Sequence, residues 1–527
     1  MTRRWILSLT LAATPLFAQS PAEPVDAATI ARIITEASDK SQVMATMSWL
    51  TDVGGQRLTG SPELRRSAEW AAAQLKGWGV QNVALEPWQN SFRGWSNQKL
   101  AVRVTAPTAY PVLAAPRAWS VGTNGAISGA AIAVVVDSAS DTLKYKGQLR
   151  GKIVLWGRPR TVPAQFTAQA TRLTDEQLAT MEAYTPPPSG APGQNFNFPR
   201  VALGNADIQR FLASEGAAGL FMAARGDGGT IFTDNGSPKD AAAPQVPTVH
   251  VAIESYGRIW RTLDQKVPVT VEMEMQNSFH DDGMNQFSIV GEIPGTDPKL
   301  KDEVVMLGAH FDSWQAGTGA TDNAAGSAVM LEAMRIFRAL DLKPRRTIRI
   351  GLWSGEEQGL LGSRAYVKAH FGERRGDTLF LKPEQAKLAG YFNVDNGTGK
   401  IRGVYQQMNA GVGPVFRAWM APFAERGMKT TTLQNTGGTD HQAFDPLGIP
   451  GFQFIQDGLE YNTRTHHSNM DTYERIQADD MKHNAAVVAS FVWQTAQREA
   501  LLPRKPFDSK LIVVPPAAPA KGKKKAA

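Results

Sequence analysis

The chain has 527 residues, 42% of them hydrophobic and 20% charged, with 48 glycines and 32 prolines. This is the composition of a globular protein of two or three domains, and it excludes disordered, collagenous and coiled-coil chains. The formal charge of +7 sits at the ends, where Arg3, Arg4, Lys521, Lys523, Lys524 and Lys525 account for all but one of it, so no nucleic-acid partner is expected. With no cysteine there is no disulfide, no thiolate metal site and no cysteine nucleophile.

Residues 1–18 read as a signal peptide. Arg3 and Arg4 precede an apolar run from Trp5 to Phe17 that is too short to span a bilayer, and Ala18 offers a small residue for cleavage. The expected location is therefore exported, periplasmic or secreted. No later stretch reaches about 18 apolar residues, so no membrane span is expected. A linker covers 19–27. In 28–117, helical apolar spacing over 28–36 and 67–78 flanks a turn-rich loop from Gly54 to Pro62. Residues 118–275 change character, with β-branched runs at 131–136, 152–156 and 246–251 and one helical stretch at 207–215, and read as an inserted β-rich domain.

Strands and helices alternate through 276–505. The spacing predicts strands at 304–307, 347–353, 388–394 and 451–455, and helices at 324–340, 359–370, 412–426 and 479–498. The expected fold is α/β, a mixed, largely parallel central sheet flanked by helices, continuous with 28–117. Residues 506–527, rich in Pro, Ala and Lys, read as a disordered tail. The thirteen tryptophans read chiefly as core.

Functional residues of open α/β sheets gather past the carboxyl ends of strands. All four junctions here carry imidazoles or carboxylates: His310 and Asp312 with Asp322 after the first, Glu356 and Glu357 after the second, Asp395 after the third, His466 and His467 after the fourth. Such a sulfur-free set suits Zn²⁺ in a hydrolytic site. His310 and Asp312, two apart in extended chain, project to one side, where the carboxylate could orient the imidazole. Asp322 could bridge two cations about 3.5–4 Å apart. Of the adjacent Glu356 and Glu357, one could bind metal while the other takes a proton from water. Arg464 is a candidate for a substrate carboxylate, and Asp440 and His441 stand between supporting the site and making a polar turn. His250, His280, His370 and His483 fall outside every block and read as structural or exposed.

The segments His-x-Asp at His310, Asp-Asn-Ala-Ala-Gly at Asp322, Glu-Glu at Glu356, Asn-Val-Asp ending at Asp395 and His-Ser-x-x-Asp-Thr at His467 resemble the five signature blocks of metallopeptidase family twenty-eight. That resemblance implies two Zn²⁺ per chain, one held by His310, Asp322 and Asp395, the other by Asp322, Glu357 and His467. It makes Glu356 the general base that deprotonates a water shared by the metals, with Asp312 supporting. It also implies a cis Asp322–Asn323 peptide, and it places His466 where many relatives carry a Tyr that steadies the tetrahedral intermediate. The insert resembles a protease-associated domain. The expected function is a secreted di-zinc exopeptidase acting on short peptides or dipeptides. The alternatives, a glutaminyl cyclase with one zinc or an inactive receptor-like binding protein, fit less well because every ligand and the base are present. The sequence leaves the oligomeric state open, a homodimer included.

Overall fold

The computed structural model describes residues 23–186, 203–233, 236, 244–506 and 510–513. The expected signal segment and the tail beyond 513 lie outside the described residues.

Four apolar strands, Thr347–Trp353, Val304–His310, Leu388–Asn393 and Gly451–Gln456, lie side by side and parallel at the centre of an eight-stranded sheet. Helices cover both faces, so these strands are buried nearly throughout, which is why they read as apolar runs without alternation. Asn285–Ile293 and then Gln81–Gln89 extend one edge antiparallel, while Ile401–Tyr405 and Thr430–Thr432 extend the other. The sheet is thus mixed and largely parallel, as expected.

On one face, helices Ala27–Asp39, Ala325–Ala339 and Ala478–Gln497 build the largest apolar cluster. Ala325–Ala339 is buried from Ala325 through Phe337, which explains a sequence that is small or apolar around its whole circumference. Its one buried cation, Arg335, is neutralised by Glu332 and Glu36, each at 2.9 Å. On the other face, helix Leu361–His370 packs over Trp353, Tyr391 and Phe444.

A second eight-stranded sheet runs Tyr110–Pro111, Gly94–Ala106, Thr270–His280, Ile127–Val134, Ile153–Trp156, Gly219–Ala223, Thr248–Val251, Ala114–Pro116. Its strands reach beyond 118–275 at both ends because Gly94–Ala106 pairs from end to end with Thr270–His280. Two further differences have simple causes. The helical stretch expected at 412–426 divides into Gly413–Met420 and a 3₁₀ turn, Ala421–Arg426, because Pro422 has no N–H to continue the ladder. Within the expected tail, Lys510–Val513 pairs parallel with Thr378–Leu381.

Candidate metal centre

The parallel strands deliver their junction residues to one edge. His310 is the last residue of its strand, Glu356 and Glu357 follow Trp353, Asp395 follows Asn393, and His466 and His467 follow Gln456 within one loop. Asp322 sits in the turn before helix Ala325–Ala339, where Asp322 and Asn323 have non-helical dihedrals and are joined by a cis peptide, as the resemblance implies. The turn is pinned beneath: Asn323 donates to the Val394 carbonyl at 2.9 Å and accepts from Gly326 N–H at 2.9 Å. A Cβ at Gly326 would meet Val394 O at 2.3 Å, so only glycine allows this approach.

His310 Nε2 lies 3.1 Å from Asp322 Oδ1 and 3.6 Å from Asp395 Oδ2. His467 Nε2 lies 3.2 Å from Asp322 Oδ2 and 3.1 Å from Glu357 Oε2. Asp322 therefore stands between two ligand groups, one oxygen toward each, and the five expected ligands come together. His466 joins them: its Nε2 is 3.7 Å from Asp322 Oδ2, its ring packs on those of His467 and Tyr461, and it could also serve as a ligand beside Asp322 and His467. Glu357 Oε1 is buried without a hydrogen bond among the described residues, and these donors are nitrogen and oxygen only, so the set fits a divalent cation such as zinc.

Asp312 departs from its expected contact. His310 Nδ1 is 3.0 Å from the Asp312 main-chain carbonyl and 3.7 Å from its carboxylate. The carboxylate instead accepts from Thr59 Oγ1 at 2.8 Å and from the N–H groups of Glu356 and Glu357 at 3.2 and 3.4 Å, clamping the Glu-Glu turn.

The cleft in front, about 480 Å³, is lined by Asp322, Glu356, Glu357, Asp395, His466 and His467 together with Arg364, Leu360 and Tyr461. Two expected substrate contacts are not in it. Arg464 is tied to Glu460 at 3.4 Å, a carboxylate that also pairs with Arg475 at 3.0 Å. Asp440 is fully buried behind the cleft, where burial pushes it up to about 7. His441, also buried, meets the Thr436 carbonyl at 3.0 Å and Gln407, and supports that turn.

Burial dominates the electrostatics. It raises Glu356 well above the usual carboxylate range, with Asp395, Asp440 and Glu357 adding to the rise and His310 opposing it. Glu357 is pushed to about 7 by burial and by Asp322. Against burial, the facing Glu357 and Asp322 hold His467 up at about 11. Crowded buried carboxylates with raised proton affinity are a cluster that a cation would relieve.

Three residues outside the expected set shape the site. Trp314 Nε1 donates to Glu357 Oε2 at 2.7 Å and its ring packs against His467. Asp471 accepts from the N–H groups of Thr321 at 2.5 Å and Asp322 at 3.2 Å, fixing the Asp322 turn; its place in the His-Ser-x-x-Asp block was the available signal. Arg57, fully buried, donates to the carbonyls of Phe311, Leu50, Thr318 and Gly319 and joins the chain on either side of His310 to the Asp322 turn. Nothing in its loop distinguishes it in the sequence.

The region holding this constellation, residues 288–492, matches the family model of Peptidase family M28. Carboxypeptidase Q of Bos taurus is 25% identical over 462 residues, covering 87% of this chain and 86% of that protein. Among solved structures, a Peptidase M28 precursor from Shewanella amazonensis SB2B superposes with a TM-score of 0.63 at 24% identity, covering 91% of this chain and 99% of that one. The zinc aminopeptidase BSAP from Bacillus subtilis superposes with a TM-score of 0.55 at 18% identity, covering 88% and 97%. Among the described residues, no helix is long and apolar enough to cross a membrane.

Proposed function

We propose that the protein is an exported metallo-exopeptidase that holds two Zn²⁺ and releases terminal residues from short peptides or dipeptides. The observation that carries this reading is Asp322, whose two oxygens face two separate imidazoles at 3.1 and 3.2 Å, as a carboxylate shared by two ions requires. His310, Asp322 and Asp395 would hold one ion, and Asp322, Glu357 and His467 the other. Bound there, zinc supplies a Lewis acid for the scissile carbonyl and lowers the pKa of a coordinated water towards about 7.

The protein's own groups do the rest. Glu356 lines the cleft and, because burial raises its proton affinity, is suited to take a proton from the attacking water and return it to the leaving amine. Asp312 holds the Glu356 backbone at 3.2 Å and so sets where that carboxylate points. His466, in the cleft wall, is placed to donate to the developing oxyanion. The relatives named carboxypeptidase and aminopeptidase support a peptidase reading over a glutaminyl cyclase or a receptor. The second sheet is read as the protease-associated insert, and residues 1–18 as the export signal.

The test is hydrolysis of a dipeptide panel by zinc-loaded protein with Glu356→Gln as control. The variant should bind zinc as the parent does and lose about 10²–10⁴-fold in kcat. Equal activity in the variant, or no cleavage by the parent, overturns the reading.

A further inference from the structure

We propose that Arg364 is the receptor for the substrate's free carboxylate, which makes the protein select peptides by their C-terminal end. The proposal rests on the exopeptidase reading above and adds which end of the substrate is read.

The argument is an allocation of the charges that face the cleft. Four carboxylates line it: Asp322, Glu357 and Asp395 are taken up by the ligand set, and Glu356 by proton transfer. None of them is left over to receive a substrate ammonium. Arg364 is the only Lys or Arg among the described lining residues. It stands in the first turn of helix Leu361–His370, one short loop after Glu356 and Glu357, with an exposed side chain. No described carboxylate or carbonyl pairs with its guanidinium, in contrast to Arg464, which is held by Glu460. Arg225, just past a strand of the second sheet, rests over the Phe232 ring at 4.8 Å and is not in the cleft wall. A guanidinium with an open fork of donors suits bidentate capture of a carboxylate. With the acidic ligands and Glu356 given these roles, Arg364 is the cation in the wall that no described partner claims. The cleft, about 480 Å³, suits a substrate of two or a few residues.

Two carboxylates could occupy it, the α-carboxylate or an acidic side chain at the terminal residue, and the substrates tell them apart. The full chain, loaded with zinc, is given Ala-Ala, Ala-Ala-amide, Ala-Glu and Ala-Glu-amide. Parent protein should cleave both free dipeptides and discriminate against both amides. Arg364→Ala should lower kcat/KM on the free dipeptides about 10–100-fold, mostly through KM, and leave the residual rate on the amides unchanged. Arg364→Lys should recover part of the loss, because it restores the charge without the fork. Calorimetric binding of Ala-Ala and its amide to Glu356→Gln, with and without Arg364→Ala, gives the same comparison without turnover. Equal losses on free and amidated peptides, retention of only the acidic-side-chain preference, or the effect moving to Arg225→Ala would each overturn the assignment while leaving the peptidase reading intact. Absence of both cleavage and binding in the parent would overturn the peptidase reading itself.

Discussion

Thr233, on a loop of the second sheet, donates its main-chain N–H to the carbonyl of His467 at 3.0 Å. Phe232 and Ser468 form a β-bridge beside it, and Asn469 receives Ile231 N–H at 2.7 Å. His467 itself has a positive φ of 60°, a conformation costly for a side-chain-bearing residue unless its neighbours hold it. The second sheet is therefore part of the frame of the candidate metal centre. Thr233→Pro, which removes the main-chain donor, should lower zinc content and cut activity about 10-fold or more, whereas Thr233→Ala keeps the N–H, gives up only the longer 3.3 Å contact of its hydroxyl with the same carbonyl, and should stay near the parent. Elemental analysis beside rate measurements checks this, and full zinc content in Thr233→Pro would contradict it.

Asp312 receives the N–H groups of both glutamates and the Thr59 hydroxyl. Asp312→Asn turns one acceptor into a donor against these N–H groups and removes a charge. We expect kcat to fall about 10–100-fold with an unchanged circular dichroism spectrum. A wild-type kcat would show that the Glu-Glu turn holds its position without the clamp.

Removing metal should destabilise the protein, because the ligand carboxylates and His310 are buried against one another. A strong chelator should lower Tm and zinc should restore it, the stabilisation being about 2.7 kcal/mol for each site when free zinc stands 100-fold above Kd. Glu356→Gln should keep this zinc-dependent shift and Glu357→Gln should reduce it. Scanning calorimetry of the three proteins separates base from ligand, and identical shifts would contradict the division of roles.

His483, in helix Ala478–Gln497, is buried against the Ile401 carbonyl at 3.0 Å, and burial depresses it to about 4. Since the unfolded chain takes up this proton near pH 6.5 and the folded protein only near 4, stability falls as pH drops through that window. The loss from this group approaches about 3 kcal/mol by pH 4. His483→Gln should flatten the acid limb of a Tm-against-pH curve between 6.5 and 4. An unchanged limb would show that other groups set the acid sensitivity.

The candidate ligands were legible because chemistry constrains both the type and the place of residues that gather past strand ends. Parallel strands under helices must be apolar, so Val304 to Ala309 and Thr347 to Trp353 announce themselves, and the polar residues just past their ends are conspicuous. The weakly patterned edge strands were not legible: Ile401–Tyr405 and Thr430–Thr432 are short, and their pairing depends on neighbours distant in sequence. Gln81–Gln89 is a half-exposed edge for the same reason.

What the sequence determined by itself was the α/β class, the central strands and the imidazoles and carboxylates just past their ends that come together, since periodicity and residue chemistry are local. Tertiary structure alone decided the partners. It turned the Asp312 carboxylate from His310 to the Glu-Glu turn, buried Asp440, tied Arg464 to Glu460, and brought Arg57, Trp314 and Thr233 to a site that their surroundings in the chain do not announce. The reason is that a hydrogen bond is a matter of direction over about 3 Å, set by how elements far apart in the chain pack, and no local pattern carries that information.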